Sequence, residues 1–310
     1  MTYEKGLHEV GDGVWAYLQP DGGWGWSNAG LVTDGETSLL VDTLFDLRLT
    51  AEMLDAMRKV TRSAERVGTL VNTHANGDHC YGNALLAGSE IVASARCAEE
   101  MGLLPPATMA AMMREAPSLG PAGVFLARIF APFSFDDIPL TLPTRTFEGE
   151  LDLHIGDRTV RLIETGPAHT AGDLIVHLPE EDIVFTGDIL FHGGHPVVWA
   201  GPVANWIRAC DRILELEPTV VVPGHGPLAT TAAVADLKGY FEFLTGAARI
   251  RFDDGMTPME AARDIELGPY AGWCEPERLV ANVHALYRDF GADGPAGAVS
   301  LIAEMAELAG

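Results

Sequence analysis

The sequence predicts an α/β protein built from two facing β-sheets with helices on their outer sides. Strand-like and helix-like segments mix along all 310 residues without an intervening linker. They form two successive halves, each a series of short strands followed by a helix. A hydrophobic content of 47% over this length is enough for a sizeable core, so we expect one domain with appended helices.

The first half opens on strands. Residues 7–18 alternate in polarity around an Asp-Gly pair, which is typical of a β-hairpin. Residues 46–60 carry apolar side chains at helical spacing and predict an amphipathic helix. The other strands predicted in this half cover residues 28–33, 37–42, 67–71 and 90–94.

Residues 101–143 interrupt this pattern. The segment contains seven prolines, with methionines and phenylalanines between them, and it predicts an insertion of short helices. Such an insertion can act as a lid over an apolar site, or it can form a satellite core or a dimer contact. The sequence does not decide between these functions.

The second half repeats the arrangement and then becomes helical. Its predicted strands cover residues 151–155, 159–163, 174–178, 182–185 and 219–222, with a helix over 203–216. Four further helices are predicted near residues 230–248, 257–264, 276–290 and 296–309. We therefore expect one domain over residues 1–230, which includes the insertion, and a C-terminal helical extension over 231–310 packed on it.

Charge and composition limit the partners and the location. The chain has 20 Lys and Arg against 44 Asp and Glu, a formal net charge of −24. A surface of this sign repels phosphate backbones and anionic lipid, so we expect a small-molecule substrate and neither nucleic acid nor membrane. Four cysteines without paired spacing, and no signal-peptide or membrane-spanning apolar run, favour a cytoplasmic location. The C-terminal helices offer a surface through which a homodimer could form.

A group of candidate metal ligands follows the predicted strand at 67–71. Residues 73–79, Thr-His-Ala-Asn-Gly-Asp-His, place two imidazoles, a carboxamide and a carboxylate in one loop. A loop that leaves a strand end can curl so that such side chains converge, and imidazole with carboxylate is what a divalent metal accepts. The alternative is a polar turn with two surface histidines. Cys80 follows directly, and its position favours packing over metal binding.

Three later strand ends carry the same chemistry. His169 follows the strand at 159–163, Asp188 follows the strand at 182–185, and His225 follows the strand at 219–222. A glycine near each residue lets the backbone turn sharply, so that its side chain can point across the crevice at the strand ends. A lone histidine or aspartate at any of these places would be structural, but the four clusters together predict a shared metal site.

At these residues the chain resembles the metallo-β-lactamase superfamily, in order and over about residues 7–230. The resemblance implies an αββα sandwich of two mixed β-sheets flanked by helices, with the active site at the sheet edges. It also implies two metal sites. Asp188 either bridges the two metals or binds only the second. The other implied ligands are His74, Asn76 and His169 for the first site, and Asp78, His79 and His225 for the second.

Asn76 departs from the family pattern, which has histidine there. A carboxamide oxygen binds borderline divalent metals more weakly than imidazole does. We therefore expect one or two Zn²⁺ ions, with the second site tighter. The first site would be weak, empty, or filled by a metal such as Fe or Mn that tolerates oxygen ligands.

This site predicts a metallo-hydrolase. A divalent cation lowers the pKa of bound water from about 15.7 towards 7 and so supplies hydroxide at neutral pH. We expect cleavage of an ester, thioester, lactone or amide-like bond in a small apolar substrate, with Asp78 as the catalytic residue that orients the hydroxide and moves its proton. The alternatives are an iron-dependent oxidoreductase or lyase on the same fold, and a non-catalytic relative that keeps its ligands for stability.

Residues near these clusters are candidates for substrate contacts. Trp24 and Trp26 lie on a Gly-rich loop where related hydrolases place a mobile flap, although two tryptophans can also simply cover a sheet. The segment after Asp188 is expected to line the same mouth, where a histidine could donate a hydrogen bond or a proton. The full set of candidates is Trp24, Trp26, Tyr81, His192, His195 and Trp199.

Overall fold

Two mixed β-sheets face each other in the computed structural model, which describes residues 3–292 and 297–310. Helices cover the outer side of each sheet. This arrangement confirms the predicted αββα class. Most predicted strands and helices are present, with ends that differ by a few residues.

The first sheet contains seven strands in sequence order. Its strands are β1 (Gly6–Gly11), β2 (Val14–Leu18), β3 (Ala29–Asp34), β4 (Thr37–Val41), β5 (Thr69–Val71), β6 (Glu90–Ser94) and β7 (Arg145–Phe147). Strands β1 to β4 are antiparallel, and β4 to β7 are parallel. Strand β7 was not predicted from the sequence, since its first two residues are exposed and it lacks an apolar run.

The second sheet contains five strands in the order β12-β11-β10-β9-β8. Its strands are β8 (Glu150–Ile155), β9 (Arg158–Glu164), β10 (Leu174–Leu178), β11 (Ile183–Phe185) and β12 (Val220–Val222). Only β11 and β12 pair in parallel. The two strands are joined through a crossover that contains a helix, as parallel neighbours require.

The described residues form ten α-helical segments. They are α1 (Leu47–Val60), α2 (Gly77–Cys80), α3 (Ala95–Met101), α4 (Pro106–Glu115), α5 (Gly120–Phe130), α6 (Val203–Glu215), α7 (Thr231–Asp253), α8 (Pro258–Asp264), α9 (Leu279–Asp289) and α10 (Ala298–Ala309). Side chains cap several N-termini; Asp46, for example, accepts from the backbone N–H of Leu49 at the start of α1. The predicted start of the last helix, residue 296, lies outside the described residues. Within the described ranges, no helix combines the length and apolarity needed to cross a bilayer.

Apolar side chains form three layers of core. One lies between the sheets, where alternate residues of β2, β3, β4, β9 and β10 meet. A second joins the outer face of the first sheet to α1, and a third joins the outer face of the second sheet to α6, α7 and α9. The insertion contributes to both outer cores, through Met109 and Phe133 to the one on the first sheet and through Phe125 to the other. It therefore packs as core; a lid function stays a prediction.

Candidate metal centre

The four ligand clusters lie at one edge of the sandwich, where β5, β9, β11 and β12 end. Glycines allow the close approach of these turns. A Cβ added to Gly224, after β12, would lie 2.1 Å from Oδ1 of Asp188, and Gly187 has a φ of +50° that favours glycine. The turns after β11 and β12 can therefore meet without side chains between them.

Asp188 lies at the centre of four imidazoles. Its carboxylate oxygens are 3.1 Å from Nε2 of His79, 3.3 Å from Nε2 of His169, 3.4 Å from Nε2 of His225 and 3.7 Å from Nε2 of His74. All five residues are buried. The sequence prediction that these side chains converge on one pocket matches this geometry.

Two groups of three ligand atoms can each hold one cation. His74, His169 and Asp188 form one group, and Asp78, His79 and His225 form the other; within each group the atoms lie within 4.8 Å of one another. Oδ2 of Asp78 is 3.3 Å from Nε2 of His225 and 3.9 Å from Nε2 of His79. These groups correspond to the two sites that the family resemblance implies.

Buried polar atoms without partners indicate that the pocket suits a cation. Nε2 of His74, Nε2 of His79 and Oδ1 of Asp188 are buried and make no hydrogen bond. Buried polar atoms are almost always satisfied, since an unpaired one costs about 1–3 kcal/mol. Atoms of the types that ligate divalent metals, aimed at one point, thus fit a metal ion.

Hydrogen bonds on the far side of the rings orient these nitrogens. Nδ1 of His79 donates to Oδ2 of Asp42 over 2.9 Å, and the hydroxyl of Thr73 donates to the same oxygen over 2.7 Å. Because that hydroxyl is a donor to Asp42, it accepts from Nδ1 of His74 at 3.0 Å. Nδ1 of His169 donates to the carbonyl of Val197 over 2.7 Å. In the neutral form of all three rings, which is the form that binds a metal, the lone pair is therefore on Nε2, facing the pocket.

The charges of the pocket favour ionised carboxylates. Burial opposes ionisation of Asp188, but His225, His79 and His74 outweigh it and hold the pKa of Asp188 well below its usual value. Burial also opposes protonation of His79, yet Asp188, Asp42 and Asp78 raise its pKa well above the usual value. For His74 burial prevails and lowers the pKa. The pocket is thus a set of anionic oxygens and imidazoles that suits divalent metal.

Asn76 lies beside the first group. Its amide Nδ2 is 2.9 Å from Nε2 of His169. Since Nδ1 of that ring is already the donor to Val197, Nε2 accepts and the Asn76 amide donates. In this arrangement the amide occupies a lone pair that a metal in the first group would need.

The loop at residues 20–27, which we call the tryptophan loop, lies against this centre. The hydroxyl of Ser27 donates to the backbone carbonyl of Asp78. Asn28, just after the loop, donates from Nδ2 to the carbonyls of Pro223 and Gly226 over 2.9 and 2.8 Å. The loop is therefore tied to the turns that carry Asp78 and His225.

The aromatic candidates for substrate contacts lie in different surroundings. Trp24 is half-buried, with its ring centroid 6.4 Å from those of Phe125 and Trp199. Trp26 packs on Phe133, with centroids 4.8 Å apart. Tyr81 is buried and donates its hydroxyl to the carbonyl of Leu104. Of these, Trp24 and Trp199 contact each other. Trp199 lies next to the centre, since its backbone N–H donates to the backbone carbonyl of His169.

The two histidine candidates have contacts of a different kind. His192 has Nδ1 3.0 Å from the carbonyl of Pro227 and lines a groove with Glu9 and Asp236. His195 has no exposed surface and packs on Tyr240 and Trp273. These surroundings do not favour substrate contacts, which remain predictions for both residues.

Sequence reasoning did not identify the residues that hold the ligands in place. Asp42 carried a usable signal, because it is a carboxylate that directly follows an apolar strand. Glu277 and Arg278 carried none. They belong to the C-terminal extension but contact Trp24, as described below.

Comparisons with known proteins agree with this geometry. The family model described as metallo-beta-lactamase superfamily matches residues 22–225. Hydroxyacylglutathione hydrolases of Brucella ovis and Brucella abortus are each 30% identical over 136 residues, 42% of this chain and 52% of theirs. The chain thus spans about half the length of the curated relatives it matches.

Solved structures share the fold. A stereoselective inverting sec-alkylsulfatase from Pseudomonas sp. has a TM-score of 0.66 at 16% identity, covering 93% of this chain and 50% of that one. A metallo-beta-lactamase from Pontibacter korlensis has a TM-score of 0.56 at 20% identity, covering 77% and 99%. The family match extends over more than half of the chain and contains every predicted ligand. The chain therefore belongs to the metallo-beta-lactamase superfamily.

Proposed function

We propose that this protein is a metal-dependent hydrolase that cleaves an ester, thioester, lactone or amide-like bond. The observation that carries the proposal is the convergence of four imidazoles on Asp188, two of which, His74 and His79, have Nε2 atoms that are buried without a hydrogen-bond partner. The name of the matched relatives, hydroxyacylglutathione hydrolase, supports hydrolysis and keeps thioesters among the candidate bonds.

Zinc is the metal we propose, and the second site should bind it more tightly. Asp78, His79 and His225 would hold that ion, with Asp188 shared. The first site has two imidazoles, and its remaining position is an amide that occupies a lone pair of His169. Carboxamides are weak ligands for zinc, and displacing this hydrogen bond adds a further cost.

A bound divalent cation would supply Lewis acidity and a water molecule of lowered pKa. Asp78 is the residue we assign to orienting that nucleophile and accepting its proton. Burial opposes its ionisation, but His79 and His225 lower the pKa of Asp78, so the group is an ionised carboxylate at neutral pH. Asp78 also lies on the first turn of α2, where the helix dipole stabilises negative charge only weakly because α2 is short. The lowered pKa of Asp78 is therefore due to the neighbouring imidazoles and not to the helix.

The surroundings of the pocket favour an apolar substrate. Trp24, Phe125, Phe130 and Trp199 come together beside the centre, with ring centroids 6.4 to 6.5 Å from Trp24. Aromatic rings of this kind bind apolar groups through buried area and edge-to-face contacts. The bond to be cleaved would lie at the ligands and the apolar part of the substrate against these rings.

Metal reconstitution with a substrate screen tests this proposal. The metal-free protein is loaded with Zn²⁺ or Fe²⁺ and assayed against chromogenic esters, thioesters, lactams and sulfate esters. We expect hydrolysis that zinc restores and that Asp78→Asn lowers by about 10²-fold or more. Iron-dependent colour with oxygen consumption and no hydrolysis would instead support the oxidoreductase alternative.

The proposed location is the cytoplasm. All four cysteines are unpaired, and Cys80, Cys97 and Cys210 are buried. Reduced thiols of this kind are usual in a reducing compartment.

A further inference from the structure

Arg278 is a buried cation in unusual surroundings. Its side chain is 1% exposed, and its Nη1 donates to the carbonyl of His195 over 3.0 Å. Its Nε makes no hydrogen bond, and among the described residues no carboxylate oxygen lies within 4.0 Å of its guanidinium. A buried charge without a close counter-ion is costly, so its aromatic contacts are the interactions to consider.

The guanidinium of Arg278 is stacked between two rings. Its Cζ lies 4.1 Å from the ring centroid of Trp24 and 5.2 Å from that of Phe191. Phe191 in turn stacks on His225, with centroids 4.9 Å apart and planes inclined by 6°. Cation–π contacts are strongest when the groups are shielded from water, as Arg278 and Phe191 are here. A continuous stack therefore joins the tryptophan loop to a candidate ligand of the second site.

Glu277 binds the edge of the same indole. Its Oε1 accepts the Nε1–H of Trp24 over 2.8 Å, and its side chain is buried. Consecutive residues thus hold Trp24 in two ways, Glu277 through the N–H and Arg278 through the ring face. Both lie outside residues 22–225, the range that matches the family.

The position of Trp24 determines the shape of the apolar wall. Its ring meets Phe125 and Phe130 of α5 and Trp199 of the segment after Asp188. These contacts come from two separate parts of the chain, and Trp24 is common to both of them. If Trp24 moved, the space available to an apolar group beside the centre would change.

We propose that Glu277 and Arg278 are positioning residues that fix Trp24 as a specificity-determining wall of the site. The C-terminal extension would then set the preference for substrates with a bulky apolar group, although it supplies no candidate ligand. This inference rests on the proposed hydrolase function for its kinetic consequence. The placement of Trp24 can be tested without that function.

Fluorine NMR of the full chain labelled with 5-fluorotryptophan tests the placement. Trp24→Phe assigns the Trp24 resonance, and the buried Trp206, whose Nε1 donates to the carbonyl of Ile189, gives an internal reference. We expect Glu277→Ala and Arg278→Lys to shift or broaden the Trp24 resonance and to leave that of Trp206 in place. Glu277→Gln keeps an acceptor for the indole N–H and should restore most of the wild-type spectrum. An unmoved Trp24 resonance in Glu277→Ala and Arg278→Lys would overturn the proposal.

A matched control removes a similar contact elsewhere in the extension. Glu304 of α10 has Oε2 2.8 Å from Nε2 of His284, so Glu304→Ala deletes a carboxylate–ring contact of the same kind. The Trp24 resonance should stay in place in this variant. If it moved as far as in Glu277→Ala, the effect would be general loosening of the helices, and the specific role of Glu277 would be refuted.

Kinetics with p-nitrophenyl acetate and p-nitrophenyl octanoate test the consequence. Loss of one charge-assisted hydrogen bond corresponds to about a tenfold change in an equilibrium constant. We therefore expect Glu277→Ala to raise KM for the octanoate about tenfold, and that for the acetate less. Equal changes for both esters would refute the specificity role. If the wild type hydrolyses no ester, thioester, lactone or amide-like substrate, the proposed function fails, while the fluorine spectra still decide the placement of Trp24.

Discussion

Asn76 and His169 form a hydrogen bond of 2.9 Å between the amide Nδ2 and the imidazole Nε2. The other nitrogen of this ring donates to Val197, so Nε2 holds the lone pair that a metal would use. Asn76 thus replaces a strong ligand with a weak one and also occupies the nitrogen of its neighbour. This contact distinguishes the two candidate sites.

Replacing Asn76 with histidine should fill the first site. Asn76→His supplies an imidazole and removes the amide donor, so we expect zinc to rise from about one to about two ions per chain. Elemental analysis after dialysis against limiting zinc measures this number. Asn76→Ala is the control. It frees His169 without adding a ligand, so an ion in the first site should still bind weakly. Two ions bound tightly by the wild type would show that Asn76 does not weaken the site.

Asp42 should control metal affinity without touching the metal. Its carboxylate accepts from His79, from the hydroxyl of Thr73 and from the backbone N–H of Thr73. In Asp42→Asn an amide N–H₂ must face one of these donors, so the rings lose their orientation. We expect zinc affinity to fall about 10- to 100-fold in a chelator competition.

The matched control for Asp42 lies four residues along the chain. Asp46 is equally buried and accepts from the backbone N–H groups of Leu49 and Ser134, away from the ligands. Asp46→Asn should lower stability slightly and leave zinc affinity as it is. If both variants lost zinc to the same extent, the effect would come from loss of fold.

Gly224 should be sensitive to a single methyl group. A Cβ there would lie 2.1 Å from Oδ1 of Asp188 and 2.6 Å from the backbone of Gly187. Gly224→Ala must therefore displace the central carboxylate, and we expect zinc affinity to fall about tenfold or more. Gly246→Ala, in the middle of α7 with open space around it, should raise stability by about 0.5–1 kcal/mol and keep zinc affinity. Normal zinc binding by Gly224→Ala would show that Asp188 can shift without cost.

Much of the fold could be predicted because short apolar runs such as those within 37–42 and 219–222 leave few alternatives to a strand. The convergence of His169, Asp188 and His225 followed from strand ends that share one edge of a sheet. Strand β7 could not be predicted, since Arg145 and Thr146 are exposed and only pairing with β6 makes the segment extended.

Contacts between distant residues had no signal in the sequence. Trp24 and Glu277 are 253 positions apart, and nothing in either local pattern indicates that they meet. The hydrogen bond from Asn76 to His169 likewise depends on how two loops approach. Such contacts are fixed by tertiary packing, which local propensity does not encode.

Glu275 should make stability depend on pH. Its burial raises the pKa to about 7; Arg278 opposes this shift, and the hydrogen bond with Glu277 adds to it. The folded chain then holds this proton more tightly than the unfolded chain, whose glutamate has its ordinary value of 4.5. The contribution is fully present below that ordinary value and is lost as pH rises towards about 7.

Glu275→Gln removes this titration while keeping a neutral side chain of the same shape. Urea unfolding of both proteins at intervals between about pH 5 and about pH 8 measures the difference. We expect the variant to gain stability relative to the wild type as pH rises through this window. A difference that is independent of pH would show that Glu275 titrates alike in both states.

The central claim is that separate loops deliver their side chains to a common metal-binding pocket. Anomalous X-ray scattering at the zinc absorption edge, from crystals of the zinc-loaded protein, tests it most directly. We predict a strong peak about 2.0–2.1 Å from Nε2 of His79 and Nε2 of His225, next to Asp78 and Asp188, with a weaker peak or none beside His74 and His169. A peak elsewhere on the chain, and none among these side chains, would contradict the account.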